Sequence, residues 1–103
     1  MEKNLKVGQA VELIRLKVLP ENVEAFLQGR VKVDEFVSTL KGYVGTEILK
    51  INEDEFLMLI RWDSEEAVRE VQKITETASI ISDWINKTAQ FVAFETSISK
   101  YEN

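Results

Sequence analysis

Few side chains in this sequence can do chemistry. Among 103 residues there is no histidine and no cysteine. That removes the commonest general base and transition-metal ligand, and with them thiolate chemistry and disulfides. Arg30 is the most informative cation. By helical spacing it falls within an apolar stripe of Phe26, Leu27, Val33 and Val37. A charge on such a stripe must be paired or face a polar cavity. It could hold an anionic phenolate or carboxylate, or it could pair with Asp34 one turn on. Trp62 and Trp84 are either aromatic walls for a flat ligand or large pieces of core. The ligand-pocket candidates are therefore Arg30, Phe26, Trp62 and Trp84. No residue is assigned a catalytic role.

Arg15 and Arg61, with Glu12, Glu47 and Glu95, fall on predicted strands. They form either an acid-base group or ion pairs across strands and a dimer interface. Tyr43 could donate a proton or simply pack. No metal site is expected, because the acidic run Glu53-Asp54-Glu55 lacks the spacing of a calcium loop. No glycine-rich phosphate loop or nucleophile elbow is present. No cofactor is expected.

These residues must be held by a small domain. A chain of 103 residues with 45% apolar and 30% charged side chains suits one globular unit, residues 1–103. At this size roughly two-thirds of the unfolded surface can be buried. The net charge of −5 comes from interspersed acids and bases. Without a basic stripe, neither nucleic acid nor an anionic membrane surface is expected as a partner. The longest apolar run, Phe56 to Ile60, is too short to span a bilayer. Residues 1–8 are expected to form a loose, polar N-terminal segment with no leader character, and the expected location is the cytoplasm.

Periodicity places the elements. Alternation predicts a strand over 9–18, with Glu12, Ile14, Leu16 and Val18 on one face. Pro20 suits a helix start, and a 3.6-residue stripe from Val23 to Leu40 predicts a helix over 21–41. Gly29 lies inside it at a propensity cost of about 1 kcal/mol, and Gly42 is placed as its C-terminal cap. Strands are expected over 46–51 and 55–62, joined by a turn at Asn52-Glu53-Asp54. Asp63 or Ser64 caps a second helical region, in which Thr75 to Ser79 is a weak point. A last strand over 90–99 puts Val92, Phe94, Thr96 and Ile98 on one face and Phe91, Ala93, Glu95 and Ser97 on the other. The order is βαββαβ. Short connections and right-handed crossovers make this an α+β, ferredoxin-like domain: a four-stranded antiparallel sheet with helices on one face. The other face also carries apolar residues. A monomer rarely leaves such a face wet, so a homodimer pairing through the sheet is expected.

Four stretches, Val11 to Val18, Leu40 to Lys50, Asp54 to Val68 and Phe91 to Ser97, resemble the antibiotic-biosynthesis-monooxygenase superfamily. The most specific is Trp62-Asp63-Ser64-Glu65-Glu66-Ala67, similar to that family's W-x-S-x-x-A. Gly42-Tyr43-Val44-Gly45 is similar to its glycine-aromatic turn. The resemblance implies a dimeric α+β barrel with a pocket between sheet and helices. Its characterised members include cofactor-independent monooxygenases of aromatic polyketides, quinol monooxygenases and haem-degrading enzymes. Many members carry a histidine on the second helix. Here that turn is Val68 to Lys73 with none, so haem degradation is not expected.

Two functions follow from the resemblance and the residues together. One is a cofactor-independent monooxygenase acting on a small aromatic or quinol. The other is a non-catalytic homodimeric module that binds a small apolar ligand or serves a structural role. Nothing in the sequence names the substrate.

Overall fold

A computed structural model of the chain describes residues 8–77, 80–98 and 100. Strand β1, Ala10–Lys17, alternates strictly: Ala10, Glu12, Ile14 and Leu16 are buried, and the residues between them are only partly so. Pro20–Asn22 makes a single 3-10 turn that leads into helix α1, Val23–Val37. This helix is shorter than its stripe predicts. The hydroxyls of Ser38 and Thr39 donate to the carbonyls of Glu35 (3.1 Å) and Phe36 (2.6 Å). Such local bonds compete with the helical ladder and end it. Phe26, Val33 and Val37 form the buried arc of α1. Leu27 belongs to the predicted stripe but sits at the edge of this arc and is 41% exposed.

Strand β2, Tyr43–Lys50, begins three positions before the predicted Thr46. Tyr43 pairs with Trp62 across an irregularity at Val44, so alternation fails there and hides the strand's start. Gly42 is not the helix cap, since α1 has already ended. It turns the chain into β2 with φ of +89°. A Cβ there would stand 2.6 Å from the Cβ of Ala67, so both conformation and space require glycine.

Strand β3, Glu55–Trp62, has its predicted bounds. Its entry is fixed by Asn52, whose Oδ1 accepts from the backbone N–H of Asp54 (3.2 Å) and Glu55 (3.0 Å). Helix α2, Glu65–Thr77, is capped by Ser64, whose Oγ accepts from the N–H of Ala67 at 3.2 Å. Helix α3, Ile80–Thr88, follows. The predicted weak point thus falls where one helical region becomes two; its residues 78 and 79 lie outside the described residues. Strand β4 is Gln90–Ile98. Ser99, predicted within it, also lies outside the described residues, as do residues 1–7 of the predicted loose segment.

The sheet order is β2-β3-β1-β4, antiparallel throughout, which is the ferredoxin-like arrangement. On one face Leu16, Phe56, Met58 and Ile60 join Phe26, Val37, Val68 and Ile85 in the core. The opposite face carries Leu13, Leu57 and Leu59, framed by cross-strand ion pairs of Arg15 with Glu55 (3.1 Å) and Arg61 with Glu47 (3.6 Å). No helix among the described residues is long and apolar enough to cross a membrane.

Candidate functional site

Between the sheet and the helices lies a cavity of about 220 Å³. The strands contribute Glu12 and Ile14 from β1, Ile60 and Trp62 from β3, and Phe91 and Phe94 from β4. The helices close it with Val37 of α1, Val71 and Gln72 of α2, and Ile81, Ser82 and Ile85 of α3. The lining is apolar apart from Glu12, Gln72, Ser82 and the indole N–H of Trp62. A cavity of ~150 Å³ admits a benzene-sized molecule. This one is therefore sized for one or two rings.

Phe91 reaches the cavity because of a β-bulge. Arg15 pairs with Ala93, but the next residue, Leu16, pairs with Phe91, so Val92 is the extra residue. The predicted alternation had put Phe91 on the opposite face from Phe94. The bulge returns it to the side of Phe94, and the two rings form the β4 wall. Nothing in the local sequence marks a bulge at Val92.

Among the described residues Glu12 is the one ionisable group in the lining. It is 6% exposed. The Trp62 indole N–H donates to its Oε1 at 2.8 Å, and the Gln72 side chain also hydrogen-bonds to it. Burial pushes its carboxyl above the ordinary glutamate range, and these two hydrogen bonds offset only part of that. A carboxylate so placed can take a proton from a weakly acidic hydroxyl. Sequence grouped Glu12 with Arg15, Arg61, Glu47 and Glu95. The structure separates them. Both arginines make their cross-strand pairs on the outer face, and Glu12 alone of the group lines the cavity.

Of the four predicted pocket residues, Trp62 lines this cavity. It is fully buried, and its ring meets that of Tyr43 edge-on at 5.7 Å. Tyr43 in turn shares a 2.7 Å hydrogen bond with the Thr46 hydroxyl. Phe26 and Trp84 come together elsewhere, at the contact of α1 with α3. Their rings stack at 4.8 Å, and the Trp84 indole N–H donates to the Phe26 carbonyl at 2.8 Å. Trp84 also borders an open groove outside that contact, beside Gly29 and Val33. Arg30 does not line the cavity. Its Nε lies 3.0 Å from Asp34 Oδ2, an ionic contact one helical turn on. A wider cleft of about 350 Å³ at the start of α2 is bordered by Lys41, Asp63, Glu66, Arg69, Glu70 and Lys73. Its charged side chains are exposed, and no aromatic residue lines it. Among the described residues no group of three or more acidic side chains could hold a metal ion.

The position of Glu12 predicts a pH-dependent stability. In the folded chain its carboxyl holds its proton to higher pH than in the unfolded chain. Its stabilising contribution is fully present below the unfolded value and is lost as pH rises through the folded one. Glutamine keeps the shape, accepts from Trp62 and donates to a flipped Gln72 amide. Glu12→Gln should therefore raise Tm at pH 7 by about 4 °C or more, the equivalent of ~1 kcal/mol in a domain of this size. The gain should shrink as pH falls below the ordinary glutamate range. Thermal melts at pH 7 and pH 4 check this, and an equal gain at both would refute it.

Comparison with known proteins adds to this geometry. A family model described as antibiotic biosynthesis monooxygenase matches residues 10–81. By sequence alone, no curated protein matches the chain. Among solved structures, the chain is similar to SnoaB, a cofactor-independent oxygenase from Streptomyces nogalater. That match has a TM-score of 0.74 at 11% identity and covers 92% of this chain and 96% of SnoaB. It is also similar to a conserved protein from Methanosarcina mazei Go1, with a TM-score of 0.71 at 15% identity, covering 93% and 95% of the two chains. At such identities the likeness is one of fold.

Proposed function

The chain belongs to the antibiotic biosynthesis monooxygenase family, and on that footing we propose that it oxygenates a small electron-rich aromatic or quinol without a cofactor, in the cavity between sheet and helices. The observation that carries this reading is the cavity itself. It is apolar, walled by Trp62, Phe91 and Phe94, and holds one buried acid. Such a site supplies two of the things that this chemistry needs from protein: a bound ring and a place for its proton. For a hydroquinone the reaction balances with dioxygen as sole co-substrate. The ring gives up four electrons; one oxygen atom enters it to give a hydroxyquinone, and the other leaves as water. A panel of one- and two-ring phenols and hydroquinones, followed by oxygen uptake, tests the proposal. With isotope-labelled dioxygen, one labelled atom should appear in product and one in water. Uptake no faster than a protein-free control across the whole panel would refute it.

The second reading is a non-catalytic module that holds a small apolar ligand. Its support is that, among the described residues, Glu12 is the only ionisable group lining the cavity, and none of them offers a second group to move a proton. Native mass spectrometry of protein from its own source separates the two, because this reading expects an unaltered bound ligand.

Both readings include a cytoplasmic homodimer formed through the outer sheet face. Leu13, Leu57, Leu59 and the 40% exposed Leu49 lie on that face. Together they make an apolar strip of a kind that monomers seldom leave exposed. Glu47 and Glu95 border Leu59 and Leu13 as cross-strand neighbours and would form part of its polar rim. Leu59→Glu should convert the dimer to a folded monomer at micromolar concentration. Sedimentation with circular dichroism checks this, and a wild-type protein that sediments as a monomer would rule out the dimer.

A further inference from the structure

The charges around the cavity are one-sided. Among the described residues Glu12 is the sole ionisable group in the lining, and no lysine or arginine reaches it. Arg30, the cation that sequence offered for an anionic ligand, is engaged with Asp34 outside the cavity. An ionised carboxylate has room for about four hydrogen bonds. Trp62 and Gln72 supply two, which leaves capacity for a donor from a ligand. The Trp62 bond at 2.8 Å also fixes the carboxyl group against the aromatic wall.

We propose that Glu12 is the proton acceptor of this site, and that it restricts the ligand to neutral, hydroxylated one- or two-ring aromatics and excludes anions. This rests on the reading of the cavity as the substrate site. In the step itself, the ring's O–H bond breaks and the proton passes to a Glu12 carboxylate oxygen. The electron pair stays on the ring oxygen. That oxyanion is the electron-rich species that then reacts with dioxygen. An anionic ligand would meet a like charge with no cation to offset it, in surroundings that screen poorly. The raised proton affinity of a buried carboxyl narrows its gap to a phenolic hydroxyl and eases the transfer.

Among the described residues, the groups facing Glu12 do not titrate. Its cross-strand neighbours are Ile60 and Thr96. Helix α2 presents Val71 and Gln72, α1 presents Val37, and α3 presents Ser82. The charged residues Arg69, Glu70 and Lys73 of α2 are exposed; Arg69 pairs with Glu65 and Lys73 with Glu70. A pH profile of the site therefore reports Glu12.

The test uses the full chain, its Glu12→Gln variant and three probes. Binding of 1-naphthol and 1-naphthoate is measured by calorimetry, and oxidation of 1,4-dihydroxynaphthalene by oxygen uptake above a protein-free control. Wild type should bind naphthol at least about tenfold more tightly than naphthoate, and the gap should narrow in the variant. The variant should keep naphthol binding within about threefold yet lose oxidation on the order of 10²–10⁴-fold. Wild-type oxidation should fall with acid as Glu12 gains its proton, and the variant's residual rate should be flat. Naphthoate binding as tight as naphthol overturns the charge selection, and wild-type turnover by Glu12→Gln overturns the proton-acceptor role. Both leave the proposed oxygenation standing. Failure of all three probes to bind or react overturns that function and this inference together.

Discussion

Replacing Trp62 with alanine is expected to remove about 3–5 kcal/mol of stability, the range for deleting a large buried aromatic. The total stability of a domain this size is ~5–15 kcal/mol. Tm should therefore fall by ~15 °C or more. The loss has three parts. The indole is fully buried, so truncation leaves a void beside Tyr43 and Ala10. The edge-on contact with Tyr43 at 5.7 Å disappears. Glu12 loses the donor that holds its Oε1 at 2.8 Å and stays buried. Trp62→Phe narrows these effects, since it keeps a ring against Tyr43 while removing the indole N–H and leaving a smaller void than alanine does. That variant should lose about 1–3 kcal/mol, and its stability should fall more steeply with rising pH, because Glu12 then ionises with one donor fewer. Denaturant unfolding of both variants at pH 5 and pH 7 checks this. If Trp62→Phe is as stable as wild type at pH 7, the bond to Glu12 contributes nothing and the site has lost its anchor.

The sequence made Trp62 visible but not its partner. Trp62 ends a strand whose entry is marked by Asn52, so its bounds were legible; its buried face was not, because Phe56 to Ile60 is apolar without a break. Glu12 was legible only halfway. Its place among Ile14, Leu16 and Val18 put a carboxyl on the core face, yet nothing local shows that Arg15 and Arg61 find their acids on the opposite face. That depends on strand order and register, which are long-range properties. Phe91 was lost for a related reason. Its side is set by a bulge at Val92, and period-two patterns have no means of showing a bulge. Arg30 shows the reverse case. Its helical spacing suggested a pocket cation, and the same spacing supplied Asp34 as the simpler partner. The cavity is built where these long-range features converge, so the fold was far easier to infer than the site.

Gly29→Ala tests how tightly the helical layer is closed over the sheet. By helix propensity alone the substitution should stabilise α1 by about 1 kcal/mol. The structure reverses the sign. A Cβ on residue 29 would stand 2.5 Å from Trp84 Cδ1 and 2.9 Å from its Nε1. The ring could yield only toward the open groove that it borders, and its contacts oppose that. It is stacked on Phe26 at 4.8 Å, and its N–H is held by the Phe26 carbonyl at 2.8 Å. Moving it sacrifices one contact or the other. Overpacking of this kind costs ~1–3 kcal/mol or more. After the propensity gain, a net loss of about 1 kcal/mol is expected by denaturant unfolding. A double-mutant cycle identifies the cause, because Trp84→Ala removes the ring that the new Cβ would strike. In that background Gly29→Ala should cost little or become stabilising. An alanine at position 29 that stabilises the wild-type protein would mean that α1 and α3 can part to admit it. In that case the cavity they help to roof would be looser than its geometry indicates, and a ligand could enter through the helical layer as well as past the half-exposed Phe91 and Phe94.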